Sequence, residues 1–115
     1  MTRQRQRSQD GQPIRLAKQF ILKNFARPIT LEEVSAATGF SVNYFSTLFK
    51  KETGEGFAKY LARIRVDAAK GLLRETQLPV AEVCRRVGYG DIKHFTRTFR
   101  AETGITPGEF RKLYG

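Results

Sequence analysis

The sequence predicts an all-α protein, and three observations carry that prediction. Apolar residues recur at helical spacings of three and four, and no segment alternates with the period of two that a half-buried strand requires. Glycines and prolines at Pro28, Gly39, Gly54, Pro79, Gly88 and Gly104 cut the chain into about seven helices. The chain also repeats itself, each copy reading short helix, glycine turn, longer helix.

Residues 1–13, MTRQRQRSQDGQP, hold almost no apolar side chain and read as a disordered tail or linker remnant, with Arg3, Arg5 and Arg7 solvated. From Ile14 the period turns helical: Ile14, Ala17, Ile21 and Phe25 fall at spacings of 3, 4 and 4. Pro28 ends that helix or follows its end. Thr30-Leu31-Glu32-Glu33 is a capping box, which opens a short helix to about Ala37. Gly39 breaks it, and a longer helix from about Ser41 to Thr53 puts Phe45, Leu48 and Phe49 on one face before Gly54.

A long helix over 57–74 follows, with Phe57, Leu61, Ile64, Ala68 and Leu72 as its expected apolar stripe. Pro79 sits at or just before the start of a short helix to about Val87. After Gly88, a longer helix runs from about Asp91 to Thr103 and stops at Gly104. Thr106-Pro107-Gly108-Glu109 is a second capping box and starts a terminal helix carrying Phe110 and Tyr114. The organisation expected is a tail (1–13), a first subdomain (14–56), a linker helix (57–74) and a second subdomain (75–115).

Composition narrows the function. The 115 residues make one domain or two very small ones. Twenty-one Lys and Arg against eleven Asp and Glu give a net charge of +10, which points to a polyanionic partner. No apolar run exceeds three residues, as at Phe20-Ile21-Leu22, so no membrane span can be built. One cysteine, Cys84, rules out an intrachain disulfide framework, and with one histidine, His94, it rules out a Cys/His zinc site. No nucleophile–base pair, phosphate loop or metal cluster is present, so neither an enzyme nor a cofactor is expected. Cys84 reads as a small helix-contact residue and His94 as a surface residue.

The repeat is specific. Leu31–Ser35 aligns with Val80–Cys84, and Gly39-Phe40 with Gly88-Tyr89, at an offset of 49. One residue is then inserted, and Phe45, Phe49, Glu52, Thr53 and Gly54 match Phe95, Phe99, Glu102, Thr103 and Gly104 at an offset of 50. The small Ser35 and Cys84 fall where two crossing helices come closest, and each glycine frees a turn that a Cβ would strain. This is the layout of a helix-turn-helix, made twice. In each longer helix the residues opposite the paired phenylalanines face outward: Asn43, Ser46, Thr47 and Lys50 in the first, and Ile92, Lys93, Thr96, Arg97 and Arg100 in the second. Arg suits guanine, Asn suits adenine, the Thr methyl suits thymine, and Lys reaches guanine or phosphate.

Ile29–Tyr114 resembles the DNA-binding domain of the AraC/XylS family of bacterial transcription regulators. The likeness lies in Gly39-Phe40-Ser41, Tyr44-Phe45-Ser46, Leu48-Phe49-Lys50-Lys51 and Gly54. In the second half it lies in Val87-Gly88-Tyr89, Phe95-Thr96-Arg97-Thr98-Phe99-Arg100, Gly104-Ile105-Thr106-Pro107 and Phe110-Arg111. The resemblance implies two helix-turn-helix subdomains joined by a long helix, placing their second helices in adjacent major grooves roughly 34 Å apart. The family's base-contacting positions match Asn43, Ser46 and Thr47, then Ile92, Lys93, Thr96 and Arg97. Ser46 and Thr47 are shorter than the Gln and Arg often found there, which limits the reach of the first helix. Lys50, Lys51, Arg85, Arg86 and Arg100 are expected to hold phosphates, with backbone N–H groups near Thr30 and Thr106.

The reading is therefore a cytoplasmic, sequence-specific DNA-binding module. The polar start looks like an interdomain linker, so the module reads as the output part of a larger regulator. RNA polymerase and a fused sensory or receiver domain are the further partners. The alternative is a basic helical module that binds RNA or protein without reading DNA sequence.

Overall fold

The computed structural model describes the backbone of residues 2–115 and the side chains of residues 12–115. These residues form seven α-helices and no strand: α1 (Thr2–Asn24), α2 (Leu31–Thr38), α3 (Val42–Thr53), α4 (Phe57–Glu75), α5 (Val80–Arg86), α6 (Ile92–Thr103) and α7 (Pro107–Tyr114). None of the described helices is long and apolar enough to cross a membrane. The chain divides into two units, one of residues 1–24 and 29–60, the other of residues 25–28 and 61–115.

Both capping boxes form. Thr30 Oγ1 accepts from Glu33 N at 3.1 Å while Thr30 N donates to Glu33 Oε1 at 3.2 Å. Thr106 and Glu109 make the same pair of bonds at 3.1 and 2.8 Å. Each box satisfies two of the N–H groups that a helix start leaves without intrahelical partners.

In the first unit Ile14, Ala17, Ile21, Ile29, Val34, Phe45, Phe49 and Tyr60 are buried. Phe49 is the hub, with ring centroids 5.5 Å from Phe45 and 5.1 Å from Tyr60, the latter edge-on. Ser35 is the small buried residue of α2, and its hydroxyl is satisfied by Glu32 O at 3.1 Å. In the second unit Val66, Ala69, Leu73, Val83, Cys84, Val87, Tyr89, Phe95, Phe99 and Phe110 form one core. Its rings run Tyr89–Phe95–Phe99–Phe110, each centroid 5.4–5.8 Å from the next.

Four expectations differ from the structure. The backbone of α1 begins at Thr2, so residues 2–13 of the stretch expected as a tail are helical; Arg and Gln are good helix formers. The side chains of residues 1–11, Arg3, Arg5 and Arg7 included, lie outside the described residues. Phe25 lies beyond α1, which ends at Asn24, and packs against the core of the second unit. The segment 57–74 is not a separate connector either. Its first residues belong to the first unit, while Val66, Ala69 and Leu73 lie in the second unit's core. The buried residues of α4 are Tyr60, Leu61, Val66, Ala69 and Leu73, with Phe57, Ile64, Ala68 and Leu72 only half-buried.

Candidate nucleic-acid interface

Each longer helix of the repeat is fixed at both ends and along one face. Ser41 caps α3 by accepting from Tyr44 N at 3.3 Å, and Asp91 caps α6 by accepting from Lys93 N at 3.0 Å. At the other ends, Thr53 Oγ1 donates to Phe49 O and Thr103 Oγ1 to Phe99 O, both at 2.8 Å. Phe45, Phe49, Phe95 and Phe99 have no exposed surface, which sets the rotation of both helices.

The opposite faces are open. On α3, Asn43, Ser46, Thr47 and Lys50 are exposed. The Thr47 hydroxyl donates back to Asn43 O at 3.1 Å, which leaves its oxygen to accept and its methyl for apolar contact. On α6, Ile92, Lys93, Arg97 and Arg100 are exposed and Thr96 is half-buried. Together with Ala101 these five side chains line an open concavity of about 670 Å³. The two faces differ in charge: α6 presents Lys93, Arg97 and Arg100, and α3 presents only Lys50 beside Asn43, Ser46 and Thr47, with Lys51 also exposed.

The remaining expected phosphate contacts divide. Arg85 and Arg86 are exposed, and both are paired with Glu82. At Thr30 and Thr106 the threonine N–H and that of Glu33 or Glu109 are used within the capping boxes, and Pro107 has no N–H to offer; the N–H groups of Leu31, Glu32 and Gly108 take no part in the boxes. A glutamate already occupies each of these helix starts. The bonds from Thr106 hold the Glu109 carboxyl below the usual carboxylate range.

Four residues were not singled out by the sequence as functional. Tyr44 is 55% exposed beside Asn43, with its ring edge-on to Phe40 at 4.9 Å. Glu82 joins the two arginines of α5. Arg65 and Tyr89 brace the turn between α5 and α6. Arg65 Nε donates to Phe25 O at 2.9 Å, its Nη2 to Arg27 O at 3.1 Å, and its guanidinium lies 5.3 Å from the Tyr89 ring centroid. Burial lowers the Arg65 pKa and raises that of Tyr89. The signal for Arg65 was its place on the row Leu61, Arg65, Ala69, Leu73, at spacings of four.

Cys84 packs beneath the same turn, its Sγ 3.6 Å from Tyr89 O, and burial pushes its thiol pKa up. His94 is exposed, edge-on to Tyr89 at 5.3 Å. Among the described residues no group of His, Cys, Asp and Glu could hold a metal ion.

Two helix-turn-helix units, each with a capped second helix turned polar side out, define a paired helix-turn-helix domain. A family model described as a helix-turn-helix domain matches residues 34–113, and the chain belongs to this AraC-type family. It is 38% identical over 97 residues to an uncharacterized HTH-type transcriptional regulator of Escherichia coli K12, YijO, covering 84% of this chain and 34% of that one. Its structure is similar to the C-terminal domain of AraT, a response regulator from Geobacillus stearothermophilus: TM-score 0.84, 35% identity, 88% of this chain and 84% of that one. It is also similar to the DNA-binding domain of AdpA, solved in complex with a target DNA: TM-score 0.84, 25% identity, 89% and 92% coverage. The chain spans 11% to 37% of the length of four curated regulators it matches.

Proposed function

We propose that this chain is the sequence-specific DNA-binding module of a transcription regulator, with α3 and α6 in adjacent major grooves of one duplex. The observation that carries the reading is the outward face of α6. Lys93, Arg97 and Arg100 stand with Ile92 and Thr96 on one open surface, backed by Phe95 and Phe99. Arg97 is the candidate for a bidentate guanine contact, Lys93 for a guanine O6 or N7, and the methyl groups of Ile92 and Thr96 for thymine. On α3, Asn43 suits adenine, and Ser46 and Thr47 read at shorter range. Lys50, Lys51, Arg85, Arg86 and Arg100 position the backbone. The similar domain of AdpA, solved with its target DNA, supports the same use here.

The module performs no chemical step of its own. In the whole protein it works in the cytoplasm as the output part of a larger regulator, with a sensory or receiver domain and RNA polymerase as its protein partners. The test is selection of bound duplexes from a random pool, followed by titration and footprinting. One chain protects two adjacent major-groove segments of an asymmetric site. With roughly five to eight phosphates neutralised, the slope of log K against log salt is about −5 to −7. A slope near zero, a palindrome filled two to one, or equal competition by structured RNA overturns the proposal.

A further inference from the structure

Glu82 stands between two cations on α5. One of its carboxylate oxygens pairs with Arg85 Nη2, and the other accepts from Arg86 Nε at 3.1 Å. The side chains of Arg85 and Arg86 are 74% and 55% exposed, against 26% for Glu82. The two guanidinium groups therefore reach further into solvent than the anion that holds them.

The triad borders the reading face. Ala81 and Arg85 share an open concavity of about 410 Å³ with Asp91 and Ile92, the N-cap and first residue of α6. In a helix-turn-helix the start of the second helix enters the groove, and the flanking phosphates pass beside it. The internal repeat supplies a comparison. At the offset of 49, Glu82 corresponds to Glu33, Pro79 to Thr30, and Arg85 and Arg86 to Ala36 and Ala37. Glu33 directs its carboxylate to Thr30 N, whereas Pro79 makes no side-chain cap and Glu82 turns to the arginines. Glu82 has thus lost the capping role of its counterpart just where the chain carries two added cations.

We propose that Glu82 restrains Arg85 and Arg86 and so sets how strongly the second unit grips DNA phosphates; the proposal rests on the DNA-binding reading above. Each arginine that meets a phosphate must leave Glu82. Exposed ion pairs are weak enough for that exchange to occur, yet strong enough to lower the affinity. The restraint applies to any duplex, because phosphates carry no sequence information.

The test is a mutant cycle on the full chain, with a 30-base-pair mixed-sequence duplex as probe. It compares the unsubstituted chain, Glu82→Gln, Arg85→Gln with Arg86→Gln, and all three together. Glutamine keeps the shape and helix propensity of glutamate, so the fold is preserved. Glu75→Gln, at the end of α4, makes the same change in net charge and serves as control. Glu82→Gln is expected to tighten binding about three- to tenfold and to steepen the salt slope by about one. In the chain lacking both arginines the gain disappears, and Glu75→Gln produces a smaller gain that does not depend on them. An equal gain in both backgrounds overturns the proposal, because Glu82 would then act only as a distant charge. No gain at all also overturns it. If the unsubstituted chain binds no duplex even at low salt, the DNA-binding reading itself has failed; normal binding with an uncoupled cycle condemns only the restraint.

Discussion

Gly88→Ala tests how the turn between α5 and α6 is built. Gly88 has φ +104°, a region that L side chains rarely adopt, and strain of this kind costs about 1–3 kcal/mol. A Cβ there would also lie 2.5 Å from Phe25 O and 2.9 Å from Arg65 Nε, the two ends of one hydrogen bond. Neither atom can yield without breaking that bond, a charge-assisted one of about 1.5 kcal/mol at a half-buried site. The sum is about 2.5–4.5 kcal/mol. Gly39, its counterpart in the first unit, has φ +82° and nothing within 4 Å of the same position. Gly39→Ala therefore costs only the backbone strain, about 1–2 kcal/mol.

The assay is urea unfolding of both variants, followed by circular dichroism, with duplex affinity measured alongside. Gly88→Ala is expected to be less stable than Gly39→Ala by about 2 kcal/mol, or about 8 °C in Tm for a chain of this length. In an Arg65→Ala background the Gly88→Ala cost should shrink by about 1 kcal/mol, because one of the two obstructing groups is gone. Equal losses for the two glycine substitutions, with no coupling to Arg65, would refute the bracing of this turn by Arg65 and Phe25.

Further outcomes follow from the interface. Arg97→Ala should cost about 1–3 kcal/mol of specific binding and relax preference at one base, a guanine, as read by repeating the site selection. Lys51→Ala should weaken all sequences alike and lower the salt slope by about one, seen in titrations across salt. Asp91→Ala removes the α6 cap and should lower stability by about 1 kcal/mol in urea unfolding. The bonds from Thr106 lower the Glu109 pKa, so its contribution is present at neutral pH and is lost as the pH falls from the ordinary carboxylate pKa through the lowered one. Glu109→Gln should lower stability at neutral and alkaline pH and match the unsubstituted chain in acid, which flattens the acid side of the stability profile.

The sequence was most readable where one local rule decides the outcome. The capping boxes at Thr30 and Thr106, the paired phenylalanines of α3 and α6, and the small residues Ser35 and Cys84 all lie where spacing alone puts them. It was least readable where tertiary contacts overrule local pattern. The stripe of α4 was misread because Arg65, a cation, occupies a place on the buried row, and its partners Phe25 and Arg27 are 40 and 38 residues away. The helix starts at Thr30 and Thr106 illustrate a different limit. The motif that predicts the cap also engages two of the N–H groups that a phosphate could use, so one signal bears on two uses that compete for them. The candidate reading residues were legible as outward positions, but the pairing of Arg85 and Arg86 with Glu82 was not drawn from the sequence, although its i, i+3 and i, i+4 spacings were there.

The repeat has diverged in charge more than in shape. From Thr30 to Thr53 the first copy has Lys50 and Lys51 against Glu32, Glu33 and Glu52. From Pro79 to Thr103 the second has Arg85, Arg86, Lys93, Arg97 and Arg100 against Glu82, Asp91 and Glu102. Cations supply affinity for any duplex, whereas neutral amides, hydroxyls and methyls add discrimination with little attraction to phosphate. On the DNA-binding reading the copies therefore divide the work. On that reading the second would anchor the chain and read guanine through Arg97, while the first would add selectivity through Asn43, Ser46 and Thr47 once the duplex is held. An anchor that binds too tightly would hold the chain on non-specific DNA, and the second copy is the one that carries the Glu82 restraint.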